Sequence, residues 1–115
     1  EVILINFCGY RWLRLIVMYD LPTQTFRDKR NYQLFHKFLI KDGYDMLQYS
    51  LYSRICNSQV VAEKHISRLR MNLPESGNVR LLQVTEKQYT SMEFLVGEMT
   101  NLETILNRNK QLLLF

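Results

Sequence analysis

"LRLIVMYDLPT", Leu13 to Thr23, carries the pattern from which the rest of the chain is placed. Leu13, Leu15, Ile16, Val17 and Met18 make a nearly continuous apolar run, the pattern of a strand buried on both faces. It closes on Tyr19 and a carboxylate, Asp20, with Pro22 just behind, so the strand is predicted to stop there. A lone acid at the end of a central strand can be solvated, cap the turn that follows, or hold a cation. With Thr23 and Thr25 nearby, an Asx-type turn opening the next helix accounts for Asp20, and so does a metal.

Working outward, Thr25 and Asp28 form a T-x-x-D capping signature that predicts a helix to about Lys41. Tyr32, Phe35 and Leu39, with Phe38 beside them, recur on one side of it, while Arg27, Lys29, Arg30 and Lys37 take much of the rest. Gly43 suits the left-handed position that ends a helix, and "YDMLQYSLYSRIC" alternates as two short strands bent near Ser50. Asn57 or Ser58 caps a second helix, on which Ala62, Ile66, Leu69 and Leu73 recur at helical spacing until Pro74 stops it. "ESGN" reads as a turn, "VRLLQVTE" as a strand, "KQYTS" as a loop or single helical turn, and "MEFLVGE" as a further short strand.

The order β-α-β-β-α-β predicts an α+β class, the ferredoxin-like sandwich, with a C-terminal extra strand. At 115 residues and 13.9 kDa there is room for one domain, placed at residues 13–97 between an N-terminal extension, 1–12, and a C-terminal extension, 98–115. An apolar share of 47% beside 23% charged residues is that of a folding chain, which sets disorder and fibrous repeats aside. The opening "EVILINFCGYRW" meets Arg11 too early to span a bilayer, so no membrane association is expected. Cys8 and Cys56 lack C-x-x-C spacing, which argues against a zinc site or a disulfide framework and makes a reducing, cytoplasmic setting the expectation.

This superfold hosts many activities, so sites must decide. The aromatic-basic core of an RNA-recognition module is missing from every segment, and so is a glycine-rich phosphate loop. His36 and His65 have neither a ligand partner at metal spacing nor a nucleophile that sequence can pair with them. Mg²⁺ is usually held by one or two carboxylates with waters and phosphate oxygens, and Asp20 has no second carboxylate at obvious spacing. A two-fold dimer crossing near Asp20 would supply that second copy, and the two acids would repel unless a cation or proton lay between them.

At "RLIVMYDLPT", "QYSLYS" and "LLQVTEKQY" the chain resembles the CRISPR-associated protein 2 family, over about Arg14 to Gly97, and is similar in particular to members of type II systems. The resemblance implies a ferredoxin-like homodimer that bridges CRISPR integrase subunits during spacer acquisition and supports double-stranded DNA. It also implies, for some members, a metal-dependent ribonuclease or deoxyribonuclease acting through the first-strand aspartate, here Asp20, with one Mg²⁺ per dimer. A fifth strand exchanged with the partner protomer is implied as well, with "EFLVGE" or part of "TILNRNKQLLLF" as its counterpart. Family members begin almost directly at the first strand, so the preceding dozen residues are a departure and are assigned no role.

The 15 basic against 11 acidic residues give +4, doubled in a dimer, and a contiguous basic surface would gain from counterion release on DNA. The candidate nucleic-acid contacts are Arg27, Lys29, Arg30 and Lys37 on the first helix, Arg54 after the bend, and Lys64, Arg68 and Arg70 on the second helix. As a set they suit sequence-independent backbone contact. Tyr52 and Ser53 belong to "QYSLYS", and Tyr52 is expected either to pack in the dimer or to touch DNA.

Overall fold

The structure, a computed structural model, describes residues 12–97. Four strands, β1 (Leu13–Asp20), β2 (Asp45–Gln48), β3 (Leu51–Cys56) and β4 (Asn78–Thr85), form one antiparallel sheet in the order β2-β3-β1-β4. The helices are α1 (Phe26–Lys41), α2 (Gln59–Met71) and the short α3 (Glu86–Thr90). This is the predicted ferredoxin-like order, with the first strand in the middle of the sheet.

Each helix begins where a side chain can satisfy its first amide groups. Thr25 Oγ1 accepts from the Asp28 N–H at 3.0 Å and Asp28 Oδ2 accepts from the Thr25 N–H at 3.2 Å, a complete capping box for α1. Ser58, the second of the two residues expected, caps α2 by accepting from the Val61 N–H. Thr85 and Gln88 build a second capping box for α3, so the single-turn reading of "KQYTS" is the observed one. Gly43 follows α1 at φ +91°, where a Cβ would come within 2.9 Å of the Arg54 guanidinium.

Both long helices lie on one face of the sheet, and the core forms between them. Leu15, Val17 and Tyr19 of β1 pack with Phe35 and Leu39 of α1, Tyr52 and Cys56 of β3, and Ala62 and Leu69 of α2. Tyr32, Phe38 and Ile66 flank this cluster as expected, while Leu73 lies beyond the end of α2 and is exposed.

Two expectations need correction. The first strand is not buried on both faces: on the side away from the helices Arg14 is covered but Ile16 is only half-buried, and Met18 and Asp20 are exposed. The reason is that both long helices occupy one face, leaving only α3 against the start of β1 on the other. "MEFLVGE" is also not a strand as far as Gly97, because Met92–Gly97 finds no neighbouring strand among the described residues to take its backbone hydrogen bonds. As the counterpart of a strand exchanged with a partner protomer, "EFLVGE" stays a candidate beside part of "TILNRNKQLLLF"; the latter lies outside the described residues, as do residues 1–11.

Candidate site: the strand-end carboxylate and the basic helices

Asp20 ends β1 opposite Asn78 of β4, on the open face, exposed. Among the described residues its carboxylate makes no hydrogen bond and no ion pair. Thr25 and Asp28 cap α1 without it, so the Asx-turn account of Asp20 does not hold. The backbone around it is tightly fixed. The Tyr19 N–H donates to the Ser50 carbonyl at 3.1 Å, and Gly77, at φ +97°, lies so close that a Cβ would meet the Asp20 carbonyl oxygen at 2.7 Å. Arg80 stands opposite Met18, one row from Asp20 on the same face, and is exposed. The charge at this end of the sheet is therefore held in place by its backbone and left open to solvent by its side chain.

No group of three His, Cys, Asp or Glu side chains among the described residues could hold a metal ion. Asp20 with the other described residues does not make a metal site, and a divalent ion there needs carboxylate or phosphate oxygens beyond them.

The basic candidates divide by their partners. Arg27 pairs with Glu75 at 2.6 Å, with both side chains exposed. Arg68 reaches Asp42 at 3.0 Å. Arg54 points to the helix side of the sheet, where its Nη2 lies 2.7 Å from His65 Nε2 and its Nε is buried. Lys29, Arg30 and Lys37 on α1, and Lys64 and Arg70 on α2, are exposed and make no ion pair among the described residues. These cations belong to the helix-covered side of the sheet, while Asp20 lies on the other face at the strand end, so the structure does not gather the two sets into one cluster.

The family model for CRISPR associated protein Cas2 matches residues 13–92. The chain belongs to the Cas2 family. A protein of Acidovorax ebreus named CRISPR-associated endoribonuclease Cas2 is 52% identical over 85 residues, covering 74% of this chain and 83% of that protein. Proteins of the same name from Flavobacterium psychrophilum and Streptococcus mutans are each 42% identical, covering 77% and 75% of this chain and 77% and 79% of their own lengths. A solved structure described as "Crystal structure of cas2" matches 78% of this chain and 92% of its own at 19% identity and a TM-score of 0.47.

Within this Cas2 chain the motif residues have distinct local tasks. Arg14 is 2% exposed and Glu86 3% exposed. The Arg14 Nε–H donates to Glu86 Oε2 at 2.6 Å, its Nη1–H donates to Ser53 Oγ at 3.3 Å, and its guanidinium lies 4.2 Å from the centre of the Tyr89 ring. "TEKQ" is thus a helix cap at Thr85 and Gln88 with a buried acid between them that ties α3 to the first strand. Tyr52 is fully buried on the helix side, stacked at 5.6 Å on Tyr19 and hydrogen-bonded to His36, so it serves the core of one chain rather than the dimer or DNA. Ser53 serves Arg14.

His65 also has a partner that sequence spacing could not reveal. Because an arginine can only donate, His65 Nε2 is the acceptor from Arg54, which leaves Nδ1–H to donate to Asp42 Oδ2 at 2.8 Å. Asp42, His65 and Arg54 thereby join the end of α1 to α2 and β3 through a buried chain of hydrogen bonds. Burial pushes the Cys56 thiol up, which makes it a packing residue and a poor nucleophile. Burial likewise pushes the Tyr19 hydroxyl far up, with the Tyr52 and Tyr32 hydroxyls adding to the effect, so the neighbour of Asp20 stays a neutral phenol.

Proposed function

We propose that this chain is the homodimeric adaptor of CRISPR spacer acquisition, holding double-stranded DNA and bridging integrase subunits in the cytoplasm. The observation that carries the DNA reading is on α1. Lys29, Arg30 and Lys37 stand exposed without ion pairs among the described residues, and the helix's single acid, Asp28, is committed to its own cap. Such a surface favours phosphate through counterion release and reads no sequence. No helix among the described residues is long and apolar enough to cross a membrane.

Dimerisation is supported by the open sheet face. Ile16 and Met18 of β1 lie beside Leu82 of β4, with Met18 36% and Leu82 50% exposed. Two copies meeting face to face about a two-fold axis would cover these side chains and bring two Asp20 carboxylates toward one another.

A second reading, a metal-dependent nuclease, is favoured by Asp20 itself, a carboxylate in a fixed backbone that no cap or ion pair occupies. The relatives' name, endoribonuclease, agrees with it. Here one Mg²⁺ per dimer, held between two Asp20 side chains and a substrate phosphate, would supply Lewis-acid chemistry. Asp20→Ala separates the readings. An adaptor keeps its duplex affinity and its co-elution with the integrase subunit and loses nothing on chelation. A nuclease loses its Mg²⁺-dependent cleavage of labelled RNA or DNA to the level of a no-protein control. A variant that no longer co-elutes with the integrase subunit would contradict the adaptor reading of an Asp20 free of structural duties.

A further inference from the structure

The tip of the β2–β3 hairpin is a two-residue turn, Tyr49 and Ser50, beside the strand-end acid. Pairing of β1 with β3 runs through Met18 and Leu51, and the Tyr19 N–H then meets the Ser50 carbonyl. The turn therefore stands at the same end of the sheet as Asp20, which has Asn78 opposite it on β4. Tyr49 is 88% exposed, whereas the other described tyrosines are buried or half-buried. Ser50 holds φ +65°, a left-handed conformation that is strained for a non-glycine residue. The hairpin therefore keeps a rigid amphipathic ring in water at the end of the sheet, with a strained residue and a cross-strand hydrogen bond fixing its backbone.

We propose that Tyr49 is a substrate-binding residue on which an unpaired base stacks, placing the adjoining phosphate of a single strand at Asp20 and Arg80. This inference rests on the second reading above, and it assigns the residue that selects an unpaired strand over a duplex. The chemistry is that of a stacking platform. Every base offers a π-face to a tyrosine ring, a base inside a duplex does not, and the exposed Arg80 guanidinium supplies a phosphate partner one row away. Phe26 is also exposed, but it opens α1 and no strand register links it to Asp20.

The test measures binding in EDTA, so that affinity is read apart from cleavage and from the fate of the nuclease reading. Full-length wild type, Tyr49→Phe, Tyr49→Trp and Tyr49→Ala are titrated by fluorescence anisotropy into a labelled single-stranded RNA and into a blunt duplex. Tyr49→Ala is expected to weaken single-strand binding roughly 5- to 150-fold, with Tyr49→Phe and Tyr49→Trp near wild type and duplex affinity unchanged in all. A 2-aminopurine in the strand should be quenched by wild type and by the aromatic variants and not by Tyr49→Ala. Equal single-strand affinity for Tyr49→Ala overturns the inference. So does an equal loss on both nucleic acids, or a Tyr49→Ala protein whose assembly state in solution differs from wild type.

Discussion

A cation counts toward DNA binding only if no side chain of its own chain has claimed it. Arg27, Arg54 and Arg68 carry the same formal charge in the sequence as Arg30 and Lys37, yet Glu75, His65 and Asp42 engage them. Sequence could list the cations but not their partners, because Arg27 and Glu75 are 48 positions apart and Arg68 and Asp42 are 26 apart. The consequence can be measured in a salt titration against duplex DNA. Reversing Arg30 and Lys37 together should reduce the slope of log K against log salt by about four, two phosphate contacts on each protomer of the dimer, whereas Arg27→Glu alone should change it by less than one. A slope that falls as much for Arg27→Glu as for the pair would reassign the contact. Asp20 was legible as a candidate from its place at a strand end, but Asn78, Arg80 and Tyr49 were not. Asn78 and Arg80 come near it through strand register and Tyr49 through a hairpin turn, both of which join positions far apart in the chain and leave no local pattern.

At the scale of elements, caps and periodicity carried most of the reading. Thr25 with Asp28, Gly43, Ser58 and Pro74 are local signals, and the helices and strands begin and end at or near them. What stayed hidden is how α3 is fastened to the sheet. Arg14 sits within an apolar run, and its acid partner lies 72 positions away, so neither residue signals the buried pair. Removing one partner strands the other charge away from water, which costs about 3–5 kcal/mol. Glu86→Ala should therefore lower the denaturant midpoint by that equivalent with the slope m unchanged, while Glu86→Gln, which keeps an acceptor for the Arg14 N–H, should lose less. Equal midpoints for Glu86→Ala and wild type would mean that the pair does not anchor α3. Composition alone makes Met92–Gly97 strand-like, but a strand is an agreement between two segments that the composition of one cannot supply.

For the whole molecule, the sheet has a covered face and an open one. The helices bury Leu15, Val17 and Tyr19, while Ile16, Met18 and Leu82 on the reverse are partly in water, along with Asp20 at the rim. A second copy on the open face would account for the continuous apolar run of β1, of which a single chain covers one side. We propose that two chains pair through this face, and sedimentation equilibrium on wild type and Leu82→Glu decides it. Wild type is expected to sediment at twice the 13.9 kDa chain mass, and Leu82→Glu at the chain mass with its folded helical circular dichroism intact. Wild type at the mass of one chain, or a Leu82→Glu protein that stays paired, would contradict it.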